Sequence, residues 1–171
     1  TAGSEKKCEA CLSIGAEKAI NYKSTDFVPS VLRHTNGRGV DVVLDPIGGR
    51  SFADSYRLLA PLGRLVVYGA SRLASGERRS VWRILATLAQ MPRFHPLSLM
   101  NHNRGVFGLN LGHLWDEHAR LADAMTRIFD EVGAGRLRPV VARTFPLEDA
   151  AGAHRFVQTR SNIGKVVLTT A

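Results

Sequence analysis

The chain has 171 residues, of which 44% are hydrophobic and 22% charged, and its net charge is +8. That length builds one domain with a real core and excludes two full-sized ones. No apolar run approaches the ~20 residues of a membrane-spanning helix, nothing at the start has the pattern of a signal peptide, and the 23 Lys and Arg are spread along the chain rather than gathered into a nucleic-acid-binding run.

The first helix is expected over residues 4–13, closed by Gly15 as a left-handed cap. Cys8 and Cys11 share one face of it. A metal would need two further ligands, and none of the six histidines forms a second pair, so the cysteines read as core-side residues of a protein from a reducing cytoplasm. Ala19-Ile20-Asn21-Tyr22 is expected as a short strand. Phe27, Val28, Val31 and Leu32 recur at helical spacing, and Asn36-Gly37-Arg38-Gly39 makes a turn. Residues 40–44 form a nearly continuous β-branched run, the pattern of a strand covered on both faces. Ser51 is positioned to cap the next helix, which carries Phe52, Ser55, Leu58 and Leu59 inward and stops at Pro61-Leu62-Gly63. Residues 65–67 are the following buried strand. Strand, helix, strand, helix, strand at this spacing predicts a doubly wound parallel α/β sheet.

Beyond Arg72 the pattern loosens. Glu77-Arg78-Arg79-Ser80-Val81-Trp82-Arg83 is the densest basic patch and reads as a solvated helix start, leading into a helical stretch over residues 81–88. The prolines of Pro92-Arg93-Phe94-His95-Pro96 argue for an irregular excursion. Residues 104–111 alternate as a strand does. Leu121, Ala124, Met125, Ile128 and Val132 then mark an amphipathic helix closed by Gly133 and Gly135. Residues 139–145 look extended, 148–158 helical, and Lys165-Val166-Val167-Leu168 is expected as a last buried strand.

Ligands of open parallel sheets bind beyond the carboxyl ends of the strands. Three loops lie there. Gly3-Ser4-Glu5-Lys6-Lys7 offers a hydroxyl, a helix start and a lysine for an anionic group on an adenosine ribose, while Thr1-Ala2-Gly3 lacks the carboxylate that NAD-type sites place at a strand end. That pattern points to a 2′-phosphate and NADP. It reads equally as Ser4 capping a helix and Lys7 standing as a surface charge. Asp45-Pro46-Ile47-Gly48-Gly49 and Tyr68-Gly69-Ala70-Ser71 have glycines that let backbone approach a flat ligand, although tight strand-to-helix turns explain them more simply. No nucleophile elbow surrounds any serine, and no catalytic residue is identified. Hydride transfer needs little from the protein beyond positioning, so this does not exclude an oxidoreductase.

In order and spacing, Ala2-Gly3-Ser4-Glu5-Lys6-Lys7, Leu12-Ser13-Ile14-Gly15-Ala16, the run from Gly39 to Gly49, Gly63-Arg64-Leu65-Val66 and Gly164-Lys165-Val166-Val167-Leu168 resemble the medium-chain dehydrogenase/reductase superfamily, in its zinc-independent quinone oxidoreductase branch. The run from Leu99 to Gly112 resembles the VAT-1-like group within it. The resemblance implies a Rossmann-like sheet and an NADPH-dependent reductase passing hydride to a quinone or an electron-poor alkene such as an enone. It implies that Ser4, Lys7 and Tyr22 approach the 2′-phosphate of NADP, with Arg160 as another phosphate contact. Gly69, Ala70 and Ser71 would lie near the nicotinamide, and Phe107, Gly108 and Leu109 would close over it. It further implies a homodimer joined through the strand around Phe107.

Against that family pattern, residues 1–171 are expected to form a partial NADP-binding domain, incomplete at its N-terminal side. The central strand, the glycine-rich pyrophosphate loop and a GroES-like domain would be absent, with residues 139–147 reaching toward that domain. Such a chain is expected to bind NADPH poorly by itself. The alternatives are a non-catalytic VAT-1-like interaction protein and an unrelated Rossmann-like module such as a methyltransferase domain.

Overall fold

The computed structural model describes residues 1–73 and 81–170. The basic patch read as a helix start lies outside the described residues as far as Ser80. The chain divides into two compact units. The first holds residues 1–4 and 19–115, the second residues 5–18 and 116–171.

In the first unit, helix α2 spans Phe27–His34, its first turn capped by the Asp26 carboxylate, which accepts from Val28 N at 3.0 Å. Asn36, Gly37 and Gly39 take positive φ in the turn that follows. Strand β1 (Val40–Asp45), helix α3 (Arg50–Arg57), strand β2 (Leu59–Val67) and strand β3 (Gly105–Gly108) then form a parallel sheet in the order β1-β2-β3. Val43, Leu65 and Val106 align across it, as do Leu44, Val66 and Phe107 in the neighbouring row. Alternation along a strand sends those rows to opposite faces. The Leu65 row packs under α3 with Phe52 and Leu59, and Leu65 is fully buried. Tyr56, Met91 and Phe94 close the edge of this core. Helices α4 (Val81–Ala89) and α5 (Pro96–His102) lie between β2 and β3 in sequence.

The second unit contains helix α1 (Glu5–Ser13), helix α6 (His118–Gly133), strand β4 (Val141–Pro146), helix α7 (Ala150–Gln158) and strand β5 (Lys165–Thr169). Strands β4 and β5 pair in parallel. Phe145 and Ala153 are buried, and the Phe145 and Phe156 rings pack at 5.9 Å with the Arg143 guanidinium over Phe145. Among the described residues no helix is long and apolar enough to cross a membrane.

Several sequence expectations need correction. The strand over residues 19–22 reduces to one parallel bridge between Ala2 and Asn21, because a turn bonding Ser24 N and Thr25 N to Asn21 O peels the chain away at once. Ser51 does not cap α3. Gly49 holds the cap position, and the Ser51 hydroxyl donates instead to Asp45. Helix α3 stops before Leu58, and Pro61-Leu62-Gly63 sit inside β2 as an irregularity, with Val40 opposite Leu59 but Val42 opposite Arg64. Leu62 takes φ 66° there and donates its N–H to Asn103 O at 2.7 Å. Strand β1 is covered on one face only, since Val42 is 50% and Leu44 64% exposed. Strand β5, expected buried, is mostly exposed, as is the apolar stripe of α6 at Met125 and Ile128. The strand predicted over residues 104–111 ends at Gly108, where the chain turns toward a short 3-10 segment, Leu111–His113.

Truncating the core and the open face should therefore differ sharply. Leu65→Ala is expected to lower unfolding free energy by about 2–5 kcal/mol, and Val42→Thr by no more than about 0.5 kcal/mol, in urea titrations of the two variants.

Candidate functional site

Parallel pairing places Asp45 opposite Val67 and Val67 opposite Gly108, so three strands end at the same edge of the first unit's sheet. The loop after β2 is anchored to the loop after β1. Asp45 is buried, and its carboxylate accepts three hydrogen bonds: Ile47 N at 2.8 Å, Ser51 Oγ at 2.7 Å and Ser55 Oγ at 2.7 Å. This clamp fixes the loop that follows β1 against the first turns of α3. The next loop is then tied to it, with Ser71 N donating to Pro46 O and Arg72 N to Ile47 O, each at 2.9 Å. Gly69 permits that approach, because a Cβ there would sit 3.2 Å from Pro46 O. Leu109 N donates to Val67 O at 2.8 Å, which brings the start of the third loop alongside.

Of the residues singled out from sequence, Gly69, Ala70, Ser71, Gly108 and Leu109 are thus gathered at one edge, with Gly69, Ser71 and Gly108 exposed. Phe107 belongs to the row of the opposite face and is 58% exposed. Near the chain start, Ala2 N donates to Ile20 O and Tyr22 N to Ala2 O. Ser4 and Tyr22 both follow this bridged pair, and the Tyr22 hydroxyl lies 2.7 Å from where a Cβ on Gly3 would be. In the second unit, Lys7 Nζ donates to the Arg160 carbonyl oxygen at 2.7 Å. Residues 153 positions apart are joined by that bond, and Arg160 takes a positive φ of 54° beside it.

Sequence reading missed the Asp45–Ser51–Ser55 cluster. Its signal was available: an acid at a strand's carboxyl end, followed by serines one helical turn apart on the next helix. Cys8 is buried on α1, and burial together with the nearby Glu5 carboxylate pushes its thiol above the ordinary cysteine range. Among the described residues no three or more His, Cys, Asp or Glu side chains are grouped to hold a metal ion.

Removing the Asp45 carboxylate strips an acceptor from two hydroxyls, one of them on the buried Ser55. Asp45→Ala is expected to cost about 1–3 kcal/mol of stability, read as a lowered thermal midpoint, and to raise amide exchange in residues 47–49 and 69–72.

Comparison with known proteins places this geometry. The family model described as zinc-binding dehydrogenase matches residues 14–168. The synaptic vesicle membrane protein VAT-1 homolog of Danio rerio is 37% identical over 167 residues, covering 98% of this chain and 34% of that protein. The 2-haloacrylate reductase of a Burkholderia species is 33% identical over 171 residues, covering 98% of this chain and 46% of the relative. A crystal structure of an NAD-dependent alcohol dehydrogenase superposes with a TM-score of 0.72 at 28% identity, over 99% of this chain and 43% of that one. The chain therefore spans between a third and a half of the length of the curated relatives it matches. The Rossmann-like reading of the parallel α/β fold stands, and the alternative of an unrelated methyltransferase module falls away. The chain belongs to the zinc-binding dehydrogenase family, within the VAT-1-like group of the medium-chain dehydrogenase/reductase superfamily.

Proposed function

We propose that this chain is the cofactor-binding part of an oxidoreductase that passes hydride from NADPH to an electron-poor alkene or a quinone. The carrying observation is the common edge at which β1, β2 and β3 end, with the loop after β2 tied backbone to backbone onto the loop after β1. Such an edge suits a flat, extended ligand, and the exposed residues Gly69 and Ser71 fit one ring face of a nicotinamide nucleotide. When bound, that cofactor supplies the hydride at C4. The chain's own residues would bind and orient it: Gly69, Ala70 and Ser71 near the nicotinamide, Phe107, Gly108 and Leu109 closing over it, and Ser4, Lys7, Tyr22 and Arg160 toward the 2′-phosphate. No proton transfer is assigned to any of them. The Asp45 clamp keeps the two inner loops in register, so positioning is its contribution.

The substrate class draws on the Burkholderia relative, whose name is that of a reductase of a halogenated acrylate, an electron-poor alkene. The choice of NADP over NAD draws on this chain's own residues, since Thr1-Ala2-Gly3 has no carboxylate and Ser4 and Lys7 supply a hydroxyl and a cation. The structurally similar alcohol dehydrogenase is NAD-dependent by name, so the cofactor choice of this protein is to be tested directly. Zinc independence follows the branch that the motifs resemble, and the free thiols of Cys8 and Cys11 fit a reducing cytoplasm. The competing reading, a non-catalytic interaction protein, has in its favour the vesicle-membrane name of the Danio relative. NADPH oxidation by the intact protein against a panel of quinones and enones separates the two: turnover supports the reductase, and its absence across the panel favours the rival.

Losing a charge-assisted contact costs about 1.5–3 kcal/mol, so Lys7→Ala should weaken NADPH binding by roughly 10- to 150-fold. NADH affinity should barely move. Fluorescence titration of both cofactors into the intact protein checks this, and equal losses would remove Lys7 from the 2′-phosphate.

Strand β3 pairs only with β2 among the described residues, so its outer edge is open and carries the exposed Phe107. An open edge of this kind invites pairing. The same reading makes the protein a homodimer joined across β3, in which Phe107→Lys yields monomer or insoluble protein. Light scattering at high micromolar concentration reads the outcome, and a wild-type monomer refutes it.

A further inference from the structure

A cavity of about 210 Å³ opens in the first unit between the last turn of α3 and the first turn of α5. It lies where strands start rather than end: Arg57 stands two residues before β2, and Arg104, whose guanidinium lies 5.5 Å from the Tyr56 ring centre, stands one residue before β3. The cofactor-binding edge is therefore at the other end of the same strands.

The floor of the cavity is aromatic. Tyr56 and Phe94 pack with ring centres 5.2 Å apart and planes tilted by 49°. Its rim is basic, with Arg57, Arg93 and His95 exposed and Ser98 contributing a hydroxyl-bearing side chain, and no acidic residue lines it. Arg57 has a carboxylate near it, but the 3.8 Å separation from Asp54 is at the limit of an ion pair and leaves the guanidinium able to take a second anion. Behind the lining, the Tyr56 hydroxyl and Arg104 Nε are buried and closed off from the cavity.

We propose that this cavity binds a small aromatic carboxylate. A single flat ring stacks on the Tyr56–Phe94 floor, and its carboxylate meets the guanidinium groups of Arg57 and Arg93. The volume sets the size class, because sites for drug-sized ligands run to about 300–1,000 Å³ and this one holds one ring with one short substituent. Charge sets the chemistry: an uncharged ring of the same shape gains the floor but not the rim.

Benzoate, benzamide and acetate, titrated separately into the protein and followed by backbone amide chemical shifts, test the proposal. Benzoate is expected to shift amides in residues 53–57, 93–95 and 97–99 and to bind at least ~10-fold more tightly than benzamide, with acetate far weaker than either. Arg93→Gln should reduce the benzoate preference, and Arg57→Gln combined with Arg93→Gln should abolish it while benzamide binding persists. Both positions are exposed, so an unchanged remainder of the spectrum verifies that the variants fold. Equal affinity for benzoate and benzamide overturns the proposal. So does acetate matching benzoate, which would mean an adventitious ion only, and so do shifts confined to residues 47–49 and 69–72, which would place the ligand on the cofactor edge.

Discussion

The first unit depends on the register of its central strand. Leu65 faces Val43 on one side and Val106 on the other, and it is the fully buried centre of the row on which α3 packs. Side chains alternate faces along a strand, so a shift of one residue would send this row to the open face and bring Arg64 inward. The same register aligns the carboxyl ends of the three strands. A packing requirement in the middle of the sheet thereby determines which loops meet at its edge.

At that edge a polar device takes over from packing. The Asp45 side chain is on the buried face with Val43, one step short of the loops, and it is tolerated there because three donors satisfy it. Its partners belong to the loop it precedes and to the helix that follows. The second loop hangs on the first through backbone bonds, with Gly69 removing the side chain that would hold them apart. The placement of both loops thus depends on one buried carboxylate.

Much apolar surface is left open by each unit taken by itself. Helix α4 buries Thr87 while Val81, Trp82, Leu85 and Leu88 are exposed, so its polar position faces the protein and its apolar arc faces out. Leu44 and Phe107 leave one face of the β1–β3 sheet similarly bare, and α6 buries no residue. Exposed apolar arcs of this extent are contact surfaces in waiting.

The sequence by itself determined the alternation of helices and strands over residues 27–67, the parallel class of the sheet and the family, because runs such as Val40-Asp41-Val42-Val43-Leu44 and turns such as Asn36-Gly37-Arg38-Gly39 act through neighbours along the chain. It also marked the turn at Gly69, where the backbone approaches Pro46 closely. Tertiary structure alone decided burial and partnership. A β-branched run looks the same whether one face of its strand is covered or two, and only packing showed β1 and β5 to be open. Ser51 has the chemistry of a helix cap, yet a carboxylate six positions earlier draws its hydroxyl away. Lys7 reads as a free surface cation until the fold returns Arg160 to its side. These outcomes depend on groups distant in sequence, or on competition between two nearby acceptors, which local pattern does not encode.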